Sequence, residues 1–480
     1  MLTDIVKWKN YKDLDETLKK ELDSFTEEDY YEAFYTDLAF GTGGMRGILG
    51  PGTNRMNIYT MRRANYGYGQ YILQTKKANP SVVIAYDCRH NSRLFAEESA
   101  RVLATMGIKV LVFDKITPTP ELSFAVRELK ATGGIVITAS HNPPNYNGYK
   151  IYDDFGCQLV PDLADIVIDE IAKAPDAFQI DVESFASLKQ KGYIEIVDDS
   201  IDTAYLNKVK SIRVHPDLNK ENFLVVFTPL HGTSSLLGQR LLQETGYPCI
   251  PVVEQMVADP NFSTVSSPNP ENKEAFDLAI AYAKKHHADI CIATDPDADR
   301  MGIAVNHQGN YVLLTGNQTG AILIQYLAKY RTLKKKGVLF NTIVTSPLGA
   351  AIARKYHLDV ISTLTGFKYI GEQAKLLENT EREFFFGYEE SYGYVVSDFV
   401  RDKDSLQALL LCSEVACYYK NQGKTLVDVL EEIYQEYGYY HDHLINITLT
   451  GASGAQKIEE ILNYFHNEKQ SNFQGLKIVA

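Results

Sequence analysis

Short apolar runs alternate along the chain with segments in which apolar residues recur at helical spacing. The first such stretch pairs a predicted strand at 81–86 with a predicted helix over 92–106, whose apolar residues share one face. The same alternation returns over 223–253 and 338–362. Parallel sheets with helical crossovers produce this pattern, so the sequence predicts three related α/β units in series.

Further elements follow the third unit. The pattern predicts helices over 405–421, 426–437 and 456–465, and strands over 443–449 and 476–480. A chain of 480 residues exceeds what one hydrophobic core usually supports, so several domains are expected. The predicted domains are 1–197, 198–307, 308–438 and 439–480.

The charge balance limits the classes of partner. Lys and Arg together number 48 and Asp and Glu 61, which gives a formal net charge of −13. Nucleic-acid binding needs a basic face, so no nucleic-acid partner is expected. A small anionic substrate stays compatible with this charge, because a local basic pocket can form in an acidic protein.

Cysteine usage and the first residues bear on the compartment. The six cysteines form no C-x-x-C pair and no metal-binding spacing, which is typical of a reducing cytosol. Residues 1–19 are charged and contain no apolar run, so no signal peptide is expected. No stretch reaches the roughly 18 apolar residues of a membrane span. The sequence predicts a cytoplasmic protein without a membrane partner.

A serine followed by a histidine lies in a predicted loop directly after the apolar run 135–137. The loop reads Thr138-Ala139-Ser140-His141-Asn142-Pro143. It lacks the G-x-S-x-G pattern of serine hydrolases. His141 is not expected to act as the base of a triad, because neighbouring side chains usually point apart. Ser140 is therefore predicted to be a nucleophile of another kind, a phosphoryl carrier near a Mg²⁺ site.

Aspartates alternate along the loop that follows a predicted strand at 290–294: Asp295, Asp297 and Asp299. Three carboxylates in a tight loop can converge on a hard divalent cation, although a solvated acidic turn has the same composition. An EF-hand loop would place Gly where Arg300 stands and Glu where Asn306 stands, so that motif is excluded. Mg²⁺ beside a phosphoryl group is the cation that this loop favours.

Weaker signals lie in four other segments, at 40–47, 365–369, 387–393 and 401–404. The glycine-rich first segment misses the G-x-G-x-x-G pattern, and glycine clusters usually mark tight turns. The carboxylates and hydroxyl of 387–393 suit sugar hydroxyls, but an exposed turn has the same residues. Lys368 in the second segment is a cation at a strand end, and 401–404 fits either a phosphate contact or helix-start electrostatics.

Taken in order along the chain, these segments resemble those of the α-D-phosphohexomutases, and most closely those of the bacterial phosphoglucomutases. The resemblance covers nearly the whole chain. It implies an α/β fold of three consecutive related α/β/α domains with mixed sheets around a central cleft. A partial C-terminal α+β domain would follow, because no R-x-S-G-T-type phosphate loop occurs after 439. This departure leads us to expect a shortened chain whose activity is in question.

The resemblance also implies roles for individual residues. Ser140 would carry the phosphate and, with Asp295, Asp297 and Asp299, would hold Mg²⁺. The other catalytic residues would be His141, Lys150 and Arg46. The substrate-binding residues would be Arg300, Gly366, Lys368, Glu389, Ser391 and Lys403.

The implied reaction interconverts glucose 1-phosphate and glucose 6-phosphate. Ser140 would donate its phosphate, and glucose 1,6-bisphosphate would be the intermediate and activator. The alternatives are a phosphopentomutase or phosphomannomutase on the same scaffold, a metal-dependent phosphatase, and a sugar-phosphate binder without turnover. A monomer or dimer that binds a phosphorylated sugar is expected.

Overall fold

The computed structural model describes residues 1–41, 44–442, 444, 447–449, 451–467, 472–473 and 476–477. Within it the chain forms two compact units. The smaller unit contains residues 1–37, 51–54 and 441–480, and the larger unit contains 38–50 and 55–440. The smaller unit begins with helices α1 (Leu2–Asn10), α2 (Glu16–Asp23) and α3 (Glu27–Phe34). Inside it, Trp8 packs edge-on against Phe34 with ring centroids 5.8 Å apart.

The first sheet of the larger unit is mixed and has the strand order β1-β5-β4-β2-β3-β6. Its strands are β1 (Met45–Ile48), β2 (Ser81–Tyr86), β3 (Lys109–Phe113), β4 (Gly133–Ile137), β5 (Tyr146–Tyr152) and β6 (Ile194–Val197). The helices of this region are α4 (Ile58–Gln74), α5 (Ser92–Thr105), α6 (Thr119–Glu128), α7 (Pro161–Ala172) and α8 (Phe185–Gln190). Strands β4, β2, β3 and β6 run parallel, while β5 is antiparallel to both of its neighbours.

The second sheet has the order β11-β10-β9-β7-β8 and is also mixed. Its strands are β7 (Val225–Thr228), β8 (Cys249–Pro251), β9 (Ile290–Thr294), β10 (Met301–His307) and β11 (Asn310–Leu314). The helices of this region are α9 (Ser200–Lys210), α10 (Ser234–Glu244) and α11 (Asp277–His286).

The third sheet has the order β13-β12-β14-β15, with β15 antiparallel to β14. Its strands are β12 (Lys336–Thr342), β13 (Asp359–Thr363), β14 (Arg382–Glu389) and β15 (Gly393–Val395). The helices are α12 (Gly316–Tyr330), α13 (Pro347–Lys355), α14 (Phe367–Leu376), α15 (Ser405–Lys420) and α16 (Leu426–Tyr437). The last described elements of the chain belong to the smaller unit. They are α17 (Gly451–Asn467) and a hairpin of β16 (Asn472–Phe473) and β17 (Leu476–Lys477).

One hydrophobic core connects the three sheets of the larger unit. It contains Val83 from the first sheet, Phe227 from the second and Phe386 from the third. Helix α15 packs against α9, α10 and α12, and nearly all of its side chains are buried. A helix that is apolar on every side is stable only in such an interior position. This shared core holds the strand ends of the three sheets in fixed positions.

The predicted α/β class with mixed sheets is confirmed. The predicted strand at 81–86 and helix at 426–437 coincide with β2 and α16, and the predicted helix over 456–465 lies inside α17. The predicted strand at 443–449 does not form at its described residues 444 and 447–449, and the rest of it lies outside the described residues. None of the described helices has the length and apolar character needed to cross a bilayer. The predicted domain bounds stay predictions.

Candidate functional site

Ser140 lies three residues after β4, and its backbone has a conformation that residues other than glycine rarely adopt. Its φ is +50°, in the left-handed region, and only 2% of its surface is exposed. The Thr138 hydroxyl accepts a hydrogen bond of 2.8 Å from the Ser140 backbone N–H. Left-handed backbone at a buried residue costs free energy and persists only where the surroundings enforce it, as they often do at functional sites.

The Ser140 side chain contacts both an aspartate of the second sheet and the neighbouring histidine. Its Oγ donates to Asp295 Oδ2 at 2.6 Å and lies 3.2 Å from His141 Nδ1. The expectation that these neighbouring side chains point apart is therefore wrong, because the left-handed backbone turns them toward each other. Burial, with the positive charges of Arg300 and Arg46, lowers the pKa of His141 to about 3. The imidazole is consequently neutral at neutral pH.

The guanidinium of Arg89 fixes the loop that carries Ser140. Nη1 donates to the carbonyl oxygens of Pro143 and Tyr146, at 2.7 and 3.0 Å. Nη2 donates to the carbonyl oxygens of Ser140, at 2.7 Å, and Asn142. Four carbonyls of one loop thus converge on one buried cation, whose charge strengthens each hydrogen bond.

Arg89 is itself held from two sides. Its Nε lies 3.4 Å from Asp87 Oδ2, and its guanidinium carbon lies 5.0 Å from the ring centroid of Phe262. Phe262 lies between β8 and β9 of the second sheet, so Arg89 connects the Ser140 loop to that region. Sequence reasoning did not find this residue, although its position just after β2 is where α/β proteins concentrate functional side chains.

Replacing Arg89 with lysine is expected to lower kcat with little change in KM. A single ammonium cannot donate to four carbonyls at once, so the Ser140 loop loses its fixed position. Misplacement of a reacting group by about 1 Å can cost roughly 100-fold in rate. The free energy of unfolding should fall by about 2 to 4 kcal/mol. Steady-state kinetics and urea unfolding measure both effects.

The exposed Arg93, four residues further along the chain on α5, gives a matched control. Arg93→Lys should leave kcat and stability unchanged. An Arg89→Lys protein with normal kcat would show that the four carbonyl contacts do not position Ser140.

The aspartate loop follows β9 and is closed by its own backbone. The N–H groups of Asp299 and Arg300 donate to Asp295 Oδ1 at 3.0 and 2.9 Å, which turns the chain tightly. From the first sheet's side, Thr119 donates its hydroxyl to Asp297 Oδ2 at 3.0 Å and its N–H to the Asp297 carbonyl at 2.9 Å. The start of α6 therefore fixes the loop against the region that carries Ser140.

Cationic side chains balance the aspartates. Lys150 Nζ lies 2.8 Å from Asp297 Oδ2 and 3.1 Å from Asp299 Oδ2, and Lys403 Nζ lies 3.1 Å from the same Asp299 oxygen. Burial alone would raise the pKa of Asp299, but these two ammonium groups outweigh it and hold that pKa well below its usual value. In contrast, burial and the charges of its two neighbours raise the pKa of Asp295 well above its usual value.

The oxygen atoms of this loop fit a divalent cation. One carboxylate oxygen from each of Asp295, Asp297 and Asp299 lies within 4.8 Å of the other two, and all three residues are buried. The Oδ1 atoms of Asp297 and Asp299 are buried and accept no hydrogen bond from the described residues. Buried carboxylate oxygens without a donor are costly unless a ligand satisfies them. Together with Ser140 Oγ they can hold a hard cation such as Mg²⁺.

A cavity of about 480 Å³ opens beside Ser140. Its lining includes most of the predicted site residues: Arg46, Ser140, Lys150, Asp299, Arg300, Gly366, Glu389, Ser391 and Lys403. Lys368, on α14, is not part of this lining. Gln158 and Phe367 line the cavity and were not among the predicted site residues. Arg46 reaches the Ser140 loop from β1, where its Nη1 donates to Asn142 Oδ1 at 3.2 Å.

Opposite these groups the third sheet contributes a carboxylate. The segment 387–393 was expected to be a loop, but it is the end of β14, a short turn and the start of β15. Glu389 is the last residue of β14, and its Oε1 accepts a hydrogen bond of 2.9 Å from the Gly366 N–H. Burial raises the pKa of Glu389. Pairing of β14 with β15 fixes this carboxylate more firmly than an isolated loop would.

Three family models match consecutive parts of the chain. They describe phosphoglucomutase/phosphomannomutase alpha/beta/alpha domains I, II and III, and match residues 37–177, 203–309 and 315–437 respectively. A protein from Staphylococcus haemolyticus named phosphoglucomutase is 39% identical over 475 residues, with 98% of this chain and 86% of the relative covered. One of the same name from Staphylococcus aureus is 41% identical over 451 residues, with 94% and 81% covered.

Solved structures share the fold. A phosphoglucomutase/phosphomannomutase family protein from Burkholderia thailandensis matches with a TM-score of 0.65 at 20% identity, covering 82% of this chain and 79% of its own. The open form of parafusin from Paramecium matches with a TM-score of 0.67 at 19% identity, covering 91% and 82%. These two structures show that the fold is shared. The family models and the two staphylococcal relatives define the class as enzymes built from consecutive α/β/α domains. The chain belongs to the phosphoglucomutase/phosphomannomutase family.

Proposed function

We propose that this protein is a phosphoglucomutase that interconverts glucose 1-phosphate and glucose 6-phosphate. The observation that carries the proposal is the 2.6 Å contact between Ser140 Oγ and Asp295 Oδ2 at the wall of the 480 Å³ cavity. It places a hydroxyl nucleophile directly beside a cation-binding carboxylate cluster. The names of the relatives that share about 40% of the sequence support the same activity.

In the proposed reaction Ser140 carries a phosphoryl group between turnovers. Its Oγ–P bond breaks as the free hydroxyl oxygen of the bound sugar phosphate forms a new O–P bond. The proton of that hydroxyl passes to Ser140 Oγ, and the product is glucose 1,6-bisphosphate. The other phosphate of that intermediate is then transferred back to Ser140 Oγ. In the return step the Ser140 hydroxyl is the nucleophile and must lose its proton. His141 Nδ1 lies 3.2 Å from Oγ and is positioned to accept that proton.

The acidic loop and its cations supply the electrostatics. Asp295, Asp297, Asp299 and Ser140 Oγ would hold Mg²⁺, which neutralises charge on a transferring phosphoryl group when bound. Lys150 and Lys403 contact the Asp299 carboxylate and also line the cavity. Their ammonium groups therefore stabilise negative charge on the phosphoryl oxygens from the substrate side.

On the opposite wall we assign sugar binding to Glu389 and Ser391. A carboxylate that already accepts the Gly366 N–H through Oε1 has Oε2 available for sugar hydroxyls. Gly366 and Arg300 also line the cavity. The intermediate must present each of its two phosphates to Ser140 in turn, so these groups bind the sugar in two orientations.

Compartment and assembly follow from weaker observations. The six cysteines are all unpaired thiols, as is usual for proteins of a reducing compartment. We therefore propose a cytoplasmic enzyme, which acts as a monomer or a dimer. Light scattering on the purified protein determines the number of subunits.

Replacing Glu389 with glutamine is expected to lower kcat/KM by roughly 10- to 100-fold, because hydrogen bonds to a charged acceptor are stronger than those to an amide. The amide oxygen can still accept the Gly366 N–H, so the fold is preserved. Phosphorylation of Ser140 should not change. Glu381→Gln, at an exposed position just before β14, is the matched control and should behave as the wild type. A normal kcat/KM for Glu389→Gln would remove this residue from the proposed sugar site.

Intact-mass measurement tests the proposed mechanism. Protein incubated with glucose 1,6-bisphosphate should gain ~80 Da, and phosphatase or the Ser140→Ala substitution should remove this increment. A mass that never changes would contradict the phosphoserine.

Turnover of glucose, mannose and ribose 1-phosphates by the same preparation tests the substrate. A preference for ribose or mannose 1-phosphate would replace the glucose assignment with phosphopentomutase or phosphomannomutase. Phosphorylation without turnover of any of the three would identify a sugar-phosphate binder.

A further inference from the structure

A second cavity, of about 340 Å³, lies between segments of the second and third sheets' regions. Its lining consists of Ser211, Ile212, Arg213, Val214, Tyr330, Arg331, Thr332 and Ser397. None of these residues lines the cavity beside Ser140. The volume is sufficient for a small metabolite.

Arg331 contributes a guanidinium without a carboxylate partner. It follows the last residue of α12, and its Nη1 donates to the carbonyl oxygens of Phe385 and Val396, at 2.9 and 3.0 Å. Among the described residues no acceptor bonds its Nε or Nη2, and no carboxylate lies within 4.0 Å of it. Burial lowers the pKa of Arg331 despite the more distant charges of Glu383 and Asp398. A partly desolvated cation of this kind is stabilised by a bound anion.

Arg213 also lines the cavity. Its Nε donates to the carbonyl oxygen of Lys210 at 2.9 Å, and within the described chain it forms no ion pair. The hydroxyls of Thr332 and Ser397 also line the cavity. Two guanidinium groups with hydroxyls beside them are the donors that recur around phosphate groups.

The charge balance of the protein bears on these two arginines. With a net charge of −13, carboxylates are in excess, and surface cations such as Lys77, Lys191 and Lys355 form ion pairs with them. Two arginines that share one cavity and pair only with backbone carbonyls leave local positive charge for a ligand. We propose that this cavity binds the phosphate group of a small phosphorylated metabolite between Arg213 and Arg331.

Crystals of the full chain soaked in millimolar tungstate, a heavy analogue of phosphate, test the proposal. Anomalous scattering should locate tungstate between the two guanidinium groups, separately from any ion near Ser140, and added inorganic phosphate should displace it. Soaking Ser140→Ala crystals with glucose 6-phosphate distinguishes the ligand sources. Density for a sugar attached to the phosphate supports a metabolite, whereas density for the bare anion alone contradicts it.

Calorimetric titration with inorganic phosphate gives the affinity. Arg213→Gln should weaken the binding assigned to this cavity by about 10-fold or more, because a charge-assisted hydrogen bond to the phosphate is lost. Arg213 has no carboxylate partner to leave unpaired, so this variant is expected to fold. The exposed Arg93→Gln is the control and should bind as the wild type. No tungstate in the cavity, or equal occupancy in Arg213→Gln, would overturn the proposal.

Discussion

Replacing Ser140 with alanine is expected to reduce mutase activity by roughly 10⁴-fold or more, to the background of the assay. The substitution removes the only oxygen of this side chain, the atom that contacts Asp295 Oδ2 and is proposed to carry the phosphoryl group. Neighbouring side chains cannot replace it, since the reaction needs a nucleophile at this position of the cavity wall. Coupled measurement of glucose 6-phosphate formation reports the loss.

The left-handed backbone at Ser140 calls for a second variant. Alanine keeps the strain of φ +50°, whereas glycine relieves it, so Ser140→Gly separates loss of the hydroxyl from any change in loop stability. Both variants should be inactive, and the glycine variant should be at least as stable as the wild type. Ser200→Ala, at an exposed serine of α9, should retain full activity. Residual turnover by Ser140→Gly would contradict the phosphoserine mechanism.

Removing divalent cations is expected to stop turnover nearly as completely. Dialysis against a chelator should lower kcat by about 1,000-fold or more, because the charge of the transferring phosphoryl group is no longer neutralised. Added Mg²⁺ should restore the rate. Asp297→Asn should shift the Mg²⁺ dependence of the rate to higher concentrations, because the substitution removes the negative charge of the side chain and replaces one carboxylate oxygen with an amide nitrogen.

Two measurements separate cation binding from a structural role of Asp297. Mg²⁺ should raise the melting temperature of the wild type but not that of Asp297→Asn, because a ligand stabilises only the state that binds it. Asp165→Asn, at an exposed position of α7, should respond to Mg²⁺ as the wild type does. An unchanged Mg²⁺ response in Asp297→Asn would show that the acidic loop does not bind the cation.

Much of this site was predictable because its reactive and charged residues come directly after predicted strands. Apolar runs ending at Ile137 and Thr294 are followed directly by Ser140 and the aspartate loop, and parallel strands deliver such loops to one edge of a sheet. Composition at these ends was therefore informative without any knowledge of packing. The acidic loop and Ser140 were both identified in this way.

Contacts between distant parts of the chain were not predictable. Thr119 and Asp297 are separated by 178 positions, and no local sequence pattern predicts the hydrogen bonds between them. The role of Arg89 likewise depends on four carbonyl oxygens, which any sequence would supply. The contact between Ser140 and His141 requires a backbone conformation that residues other than glycine rarely adopt. The usual backbone geometry therefore predicted that the two side chains point apart.

The shared core around α15 has a consequence for how the larger unit unfolds. A piece that contained only the first sheet would expose to water the side chains that now pack in this common interior. The free energy of unfolding of each region therefore depends on the other two. Heat should melt the larger unit, residues 38–50 and 55–440, in one cooperative transition. Calorimetry checks this expectation. No one of the three α/β regions of this chain is therefore expected to fold as an isolated domain.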